Sequence, residues 1–345
     1  MKIVNKKPIL KKILAILSVI FLAYSFSVVY RAINLRNTDV YKVNEGFKGN
    51  HLVYPINWIY SDGKRAERFE RVDSEGVFVT DYDKILNLST IKGKQYNPVN
   101  IARMIFHEGK YVDANYKHYD YLRSNLNWLV ENMDSKGRWA FDFDNTISRR
   151  VNIAPWYSGL AQGLGISALV RGYLIFDDEK YLRAAEKAII SMETYISDGG
   201  VLSHSEYGDI IEEYPFEKNN IHVLNGYLYS LIGIYDLSLI KPEYDALLDK
   251  HLATLSYILD RYNLSGGWSA YSLDEPTLRN HANYANPMYH QLHIAQLTFF
   301  CEAKNISSFC HQAKIFEGDK NSIASIGVHL AYVIFKDLVW LYKKI

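Results

Sequence analysis

From residue 97 onward the chain alternates long helical patterns with short breaks, and the breaks recur at Gly137, Gly199 and Gly266. Before each break lies one helical segment, within 118–133, 180–195 and 243–262; after each comes a loop and a second, more apolar helix, within 155–176, 222–238 and 288–303. Residues 96–109 supply a further helix of the second type. A helix pair of this length cannot bury its apolar stripe alone, so a repeat of about 65 residues has to stack pair on pair. The expected fold is therefore mainly α: an incomplete (α/α) toroid with short β-hairpin loops over residues 96–345. An irregular helical domain is the alternative. Asp177 or Asp178 suits the N-cap of the helix that follows, and Gly199 suits a left-handed helix end. Ala161, Gly163, Gly165 and Ala168 would let one inner helix approach its neighbours closely.

The amino-terminal region is built differently. Residues 13–30 carry no charge and follow five lysines, Lys2, Lys6, Lys7, Lys11 and Lys12. This reads as a single transmembrane anchor preceded by a cytoplasmic tail (1–12), with everything after Arg31 outside the cytoplasm. A cleaved signal peptide is the rival reading. Its only small-residue approach to a cleavage site, Ala23-Tyr24-Ser25, lies inside the apolar run, which is longer than an ordinary signal core. Residues 31–45 read as a polar tether and 46–95 as a small extended, β-rich lead-in. Residues 323–342 are also apolar but contain His329, Lys336 and Asp337, and read as a packed terminal helix, not a second span.

Beyond residue 31 acids outnumber bases by five, which excludes the broad basic footprint of a nucleic-acid binder. Two cysteines exclude a disulfide scaffold and a four-thiolate zinc site. In an exported body Cys301 and Cys310 could clip a helix hairpin; a pair of small buried hydrophobes is the equal alternative. His290 and His293 have helical spacing, but no third metal ligand accompanies them, so neither a metal nor any other cofactor is expected. The 28 Tyr, 15 Phe and 6 Trp can fill a core or stack on sugars. If the units superpose, the starts of the inner helices gather Trp156, Tyr157, Glu213, Tyr214, Asn225, Tyr229, Tyr271, Tyr289 and His290 into one cleft of phenols with a single carboxylate.

The stretches PWYSGLAQG (155–163), EEYP (212–215) followed by LNGYLYSLIG (224–233), and YHxxHIxQL (289–297) resemble the carboxy-terminal domain of D-glucuronyl C5-epimerases, in order and spacing, over about residues 95–315. The resemblance implies an isomerase that inverts C5 of a glucuronosyl or related uronosyl residue within a polysaccharide such as heparosan, taking a proton from one face and returning one to the other. By motif position Glu213, Tyr214, Tyr271 and Tyr289 would carry the proton transfers, and Trp156, Tyr157, Asn225, Tyr229 and His290 would bind sugar. A phenol used as a base at neutral pH would need a lowered pKa. The animal enzymes have an arginine where this chain has Asp274, and an acid where it has Met288. Arg149, Arg150 and Arg279 are then the cations nearest in sequence for the uronate carboxylate.

Two other functions fit the same cleft: a uronan lyase, which also begins by removing the C5 proton, and a non-catalytic glycan-binding subunit of a surface-polysaccharide assembly complex. Capsule or exopolysaccharide synthesis at a bacterial envelope, facing periplasm or exterior, suits the short amino-terminal region and the Ile, Lys, Asn and Tyr richness better than a Golgi lumen. The expected partners are the polysaccharide and the membrane, with a homodimer allowed and nucleic acid excluded.

Overall fold

The computed structural model describes residues 7–37, 70–84, 91–109, 116–147, 150–273, 283–318 and 322–342. Helix α1 runs over Lys7–Asn37, so the stretch read as tether begins as helix: residues 31–37 continue the apolar segment without a break. Three short antiparallel strands follow, β1 (Glu70–Val72), β2 (Phe78–Asp81) and β3 (Lys94–Gln95), in that order across the sheet. They fall in the expected β-rich lead-in. Asn125 holds this sheet to the helices by accepting from the Phe78 backbone N–H at 3.0 Å.

Among the described residues, eight helices then form four successive hairpins. One member of each is α2 (Pro98–Gly109), α4 (Gly159–Phe176), α6 (Leu224–Ser238) and α8 (Pro287–Lys304). The others are α3 (Tyr116–Glu131), α5 (Glu179–Ile189), α7 (Asp245–Ile258) and α9 (Ser307–Gly318). The first set packs in series, α2 on α4, α4 on α6 and α6 on α8, while each of the second set lies against its own hairpin partner. The sequence explains the division. α4 and α6 are apolar on all sides and nearly every residue in them is buried, whereas α5 is amphipathic and buries only Tyr181, Leu182, Ala184, Ala185, Ala188 and Ile189, as an outer helix should.

Two hairpins fill the loops that enter these helices: β4 (Asn145–Ile147) with β5 (Arg150–Asn152) before α4, and β6 (Leu202–Ser205) with β7 (Gly208–Ile211) before α6. The break glycines do adopt left-handed backbone, with φ of 79° at Gly137, 86° at Gly199 and 83° at Gly266. Gly199, however, ends a short 3-10 turn at Ile196–Asp198 and not the preceding helix, because α5 has already given way at Ile190 to 3-10 turns. The two aspartates divide the capping between them: Asp177 closes α4 in left-handed conformation, and Asp178 accepts from the Lys180 N–H at the start of α5.

The contact of α4 with α6 is made on bare backbone. A methyl group at Gly163 would lie 2.3 Å from the Tyr229 carbonyl oxygen, and one at Gly233 would lie 2.3 Å from the Gly163 carbonyl oxygen. Beside this contact Arg171 and Asp236 form a fully buried ion pair at 2.5 Å. Gln162 ties α4 to the first break: its side-chain amide donates to the Gly137 and Ala188 carbonyls, and its Oε1 accepts from the Trp139 N–H.

The last helix, α10 (Ile323–Tyr342), packs antiparallel on α1 but is not the enclosed helix that the sequence suggested: Leu338, Trp340, Leu341 and Tyr342 are about half exposed or more. α1, α4 and α10 are each long and apolar enough to cross a membrane. α4 is a core helix, since its apolar surface is covered by its neighbours.

Because the atoms opposing Gly163 are backbone, they cannot swing aside. Gly163→Ala should cost about 1–3 kcal/mol and lower the melting temperature by several degrees. Gly318→Ala, at a helical position with no atom within 4 Å, should be neutral or slightly stabilising. Calorimetry of the two variants in one detergent checks the contrast; equal melting temperatures would mean that α4 and α6 can separate without penalty.

Candidate active site

The loop after β7 carries Glu212, Glu213 and Tyr214; two backbone bonds hold it, and a third holds the start of α6. The Glu212 N–H donates to Val201, its carbonyl accepts from the Gly159 N–H at the start of α4, both at 2.8 Å, and the Leu224 N–H at the start of α6 donates to Tyr271 at 3.0 Å. The last bond joins the loop before α8 to α6. At the start of α8, Asn286 caps the helix by accepting from the Met288 and Tyr289 N–H groups, and Pro287 occupies the first turn. The beginnings of α4, α6 and α8 are thus tied together, which brings Trp156, Glu213, Tyr214, Tyr271 and Tyr289 into one cluster.

Within it, the Glu213 carboxylate and the Tyr214 and Tyr271 hydroxyls lie close enough to act on one another electrostatically. The Tyr271 and Tyr289 rings are 5.0 Å apart between centroids, and Tyr214 lies 5.9 Å from Trp156. Glu213 is buried, with Oε2 in no hydrogen bond among the described residues. The first turn of α6 passes directly over it: a methyl group at Gly226 would come within 2.3 Å of Oε2. Asn225, in that same turn, is also buried with Oδ1 unbonded among the described residues.

Burial pushes the Glu213 carboxyl up to about 7, against which Tyr214 works only partly. The phenols of Tyr214 and Tyr271 move the other way from what a basic phenol would need. Burial raises both well above 10, and the negative charge of Glu213 adds to the rise. At neutral pH they are hydroxyl donors, and the carboxyl is the group tuned to accept a proton. Among the described residues no cation shifts either phenol downward.

The remaining sequence candidates separate. Tyr229 has no exposed surface and lies where α6 meets α4, so it is core. His290 is core as well: it stacks on Trp268 at 4.0 Å, its Nδ1 faces Ser269 and its Nε2 lies 3.1 Å from the Phe316 carbonyl. Burial lowers its pKa to about 4. His293 reaches the same Ser269 hydroxyl at 2.8 Å, so the two histidines share a serine. Among the described residues no group of three or more metal-ligating side chains comes together. Trp156 gives one ring face to Phe141 at 4.0 Å and its N–H to the Phe143 carbonyl, leaving it to buttress Tyr214. Tyr157 turns to Arg138, whose guanidinium lies 3.8 Å over its ring. Arg150, on β5, faces Phe216 at 5.7 Å, two residues beyond Tyr214. Arg149 and Arg279 lie outside the described residues.

Glu212 precedes Glu213 in the EEYP stretch. It is fully buried, accepting from Ser203 Oγ at 2.5 Å and from the His222 N–H at 3.2 Å, with His222 Nδ1 at 2.6 Å. Tyr262 in turn donates to the His222 carbonyl at 2.7 Å. Glu212 therefore fixes the loop that presents Glu213. The register of β7, which continues inward from Ile210 and Ile211, is the signal that could have placed it inside.

Several known proteins are similar to this chain. Residues 133–318 match a family model described as D-glucuronyl C5-epimerase C-terminus. A D-glucuronyl C5-epimerase of Caenorhabditis elegans is 36% identical over 184 residues, 48% of this chain and 29% of that protein, so the chain spans under a third of the relative's length. Among solved structures, a cellobiose 2-epimerase from Bacillus thermoamylovorans superposes with a TM-score of 0.47 at 14% identity, over 74% of this chain and 67% of its own. An α-mannanase from Bacteroides thetaiotaomicron gives 0.45 at 13%, over 92% and 81%.

The raised pKa of Glu213 has a stability consequence. Its folded value, about 7, lies above the ordinary 4.5, so folding favours the protonated carboxyl. That contribution is complete below about pH 4.5 and is lost as pH rises through about 7. Glu213→Gln keeps the shape without the charge. It should therefore melt above the parent protein at pH 8, by an amount of the order of 3 kcal/mol at about 1.4 kcal/mol per pKa unit, and the gap should close toward pH 5. A gap independent of pH in a melting series would show that Glu213 titrates as an ordinary carboxylate.

Proposed function

The chain belongs to the D-glucuronyl C5-epimerase C-terminus family, and from that premise we propose that it inverts C5 of uronosyl residues within a polysaccharide at the cluster around Glu213. The observation that carries this reading is a buried carboxyl under the first turn of α6, with one oxygen unbonded among the described residues, grouped with the phenols of Tyr214, Tyr271 and Tyr289; burial pushes that carboxyl up to about 7. Glu213 is the base. The C5–H bond breaks, the proton passes to the carboxylate, and the electron pair is delocalised into the uronate carboxyl group. Tyr214, beside Glu213, orients it and with Tyr271 offers donors to the developing charge. Tyr289 is the acid on the opposite face, giving its phenolic proton to C5 to form the inverted centre. Exchange of both groups with solvent restores the starting protonation. Asn225, with its unbonded oxygen in the first turn of α6, is placed to bind a sugar hydroxyl, and Arg150 is the described cation suited to the uronate carboxylate.

The cleft is the mouth of an incomplete (α/α) toroid, with α2, α4, α6 and α8 as its inner wall; their serial packing and the burial of α4 and α6 support this. α1 is a single anchor with the catalytic body outside the cytoplasm. The lysines before it support that orientation, and the bonded Cys301–Cys310 pair suits an oxidising compartment. The substrate class this favours is an envelope polysaccharide made at a bacterial surface.

The test is incubation of a uronan such as heparosan with the enzyme in deuterated water. Deuterium should enter C5 and both uronic acids should accumulate with chain length unchanged. An unsaturated uronate absorbing in the ultraviolet would make the enzyme a lyase instead. Tyr289→Phe should fold normally, bind the polymer and lose a hundredfold or more in exchange; a merely structural hydroxyl would cost about 1 kcal/mol of stability and little turnover.

A further inference from the structure

α10 and α1 lie antiparallel along a shared seam. Toward the domain, Arg36 of α1 borders the same small cavity as Ser325 and His329 of α10. Further along, Val28 and Ala32 pack with Leu330 and Val333, and beyond these Tyr24 and Arg31 meet Asp337. The residue numbers rise on one helix as they fall on the other, which sets the level of every position. Arg31 is the first charge after the uncharged run of α1 and so marks the outer edge of the apolar segment. Asp337 stands at that edge, and residues 338–342 lie beyond it, on the membrane side.

Three features fit these residues to lipid. First, the charge at the edge is cancelled. Arg31 donates twice to Asp337, at 2.7 Å through each Nη, and Tyr24 donates to the same carboxylate at 3.0 Å. A carboxylate and a guanidinium that satisfy each other are the form in which charges are tolerated at membrane depth. Second, Lys336 places its ammonium 5.5 Å from the centre of the Tyr332 ring, one turn back toward the domain, the direction in which a lysine at a bilayer edge extends. Third, the exposed side chains past Asp337 are Leu338, Trp340, Leu341 and Tyr342, two aliphatic and two of the aromatic types that favour the bilayer interface. They are continuous with Leu22 and Phe26, exposed on α1.

We propose that the carboxy-terminal part of α10, from Leu338 to Tyr342, inserts into the outer leaflet beside α1, so that the domain is held to the bilayer by two helices locked through Arg31 and Asp337. The inference rests on the reading of α1 as an anchor. At 1.5 Å per residue the inserted piece reaches about 6–8 Å past Asp337, the depth of a segment lying at the boundary of headgroups and acyl chains. A domain fastened at two points on one side can turn about neither helix, so its cleft keeps one orientation to a polymer emerging from the same membrane.

The experiment uses the full chain, reconstituted alone in vesicles of phosphatidylethanolamine and phosphatidylglycerol, with a diazirine-bearing leucine analogue at one position at a time. Irradiation should give lipid adducts at Leu22, Leu338 and Leu341 at least tenfold above those at Ile190, an exposed position on the helical domain. Adducts at Leu22 with Leu338 and Leu341 at the Ile190 level would overturn the inference and leave the anchor reading standing. No lipid adduct at Leu22 would overturn both. Cross-links from Leu338 to a second copy of the chain in place of lipid would replace the lipid by a protein interface and also overturn it.

Discussion

The approach of α4 to α6 along bare backbone sets where the rest of the site can go. With hydrogen in place of side chains at Gly163 and Gly233, the two helices meet with carbonyl oxygens where methyl groups would otherwise stand. That brings the start of α4 against the end of β7, where the Gly159 N–H bonds Glu212, and lays the first turn of α6 over Glu213 at Gly226. A side chain at any of these glycines would push the helices apart and open the carboxyl to water. Tight backbone packing and an unusual carboxyl are therefore one feature, because it is desolvation that raises the pKa.

Glu212 and Glu213 show how closely that control is exercised. They are adjacent, both buried, and treated in opposite ways. Glu212 is saturated by Ser203 and His222 and does structural work. Glu213 has one oxygen unbonded among the described residues and a single phenol for support. A buried acid left short of partners lowers stability near neutral pH, and such a cost persists in proteins where it serves a reaction. The phenols of Tyr214 and Tyr271 beside it are raised, not lowered, chiefly by burial.

The opposite end of the molecule follows similar physics in a different solvent. At the outer edge of α1 the bidentate pair of Arg31 with Asp337 brings together two charges that neither helix could carry into an apolar environment alone. The residues past that pair are apolar because nothing of the helical domain lies against them. An amphipathic pattern seen in isolation does not say how much of a helix its neighbours cover, and α10 is more exposed than its sequence suggested for that reason.

What the chain's sequence determined by itself was its periodic and local content. The helix hairpins between residues 97 and 318, the left-handed glycines at the breaks, the cap at Asp178, the apolar α1 and the motif positions of Glu213, Tyr214, Tyr271 and Tyr289 all depend on neighbours a few residues away or on a family pattern. Which tyrosines are enclosed in the core and which gather around Glu213 depended on long-range contact. Tyr229 and His290 carry the same motif credentials as Tyr289, but the glycine contact seals the first inside, and Trp268 with Ser269 encloses the second. Glu212 likewise went inward through its pairing with residues ten positions away. Only the tertiary structure decided these roles, because burial, and with it the cost of holding a charge, is set by what the fold places opposite a side chain and not by the residues beside it in the sequence.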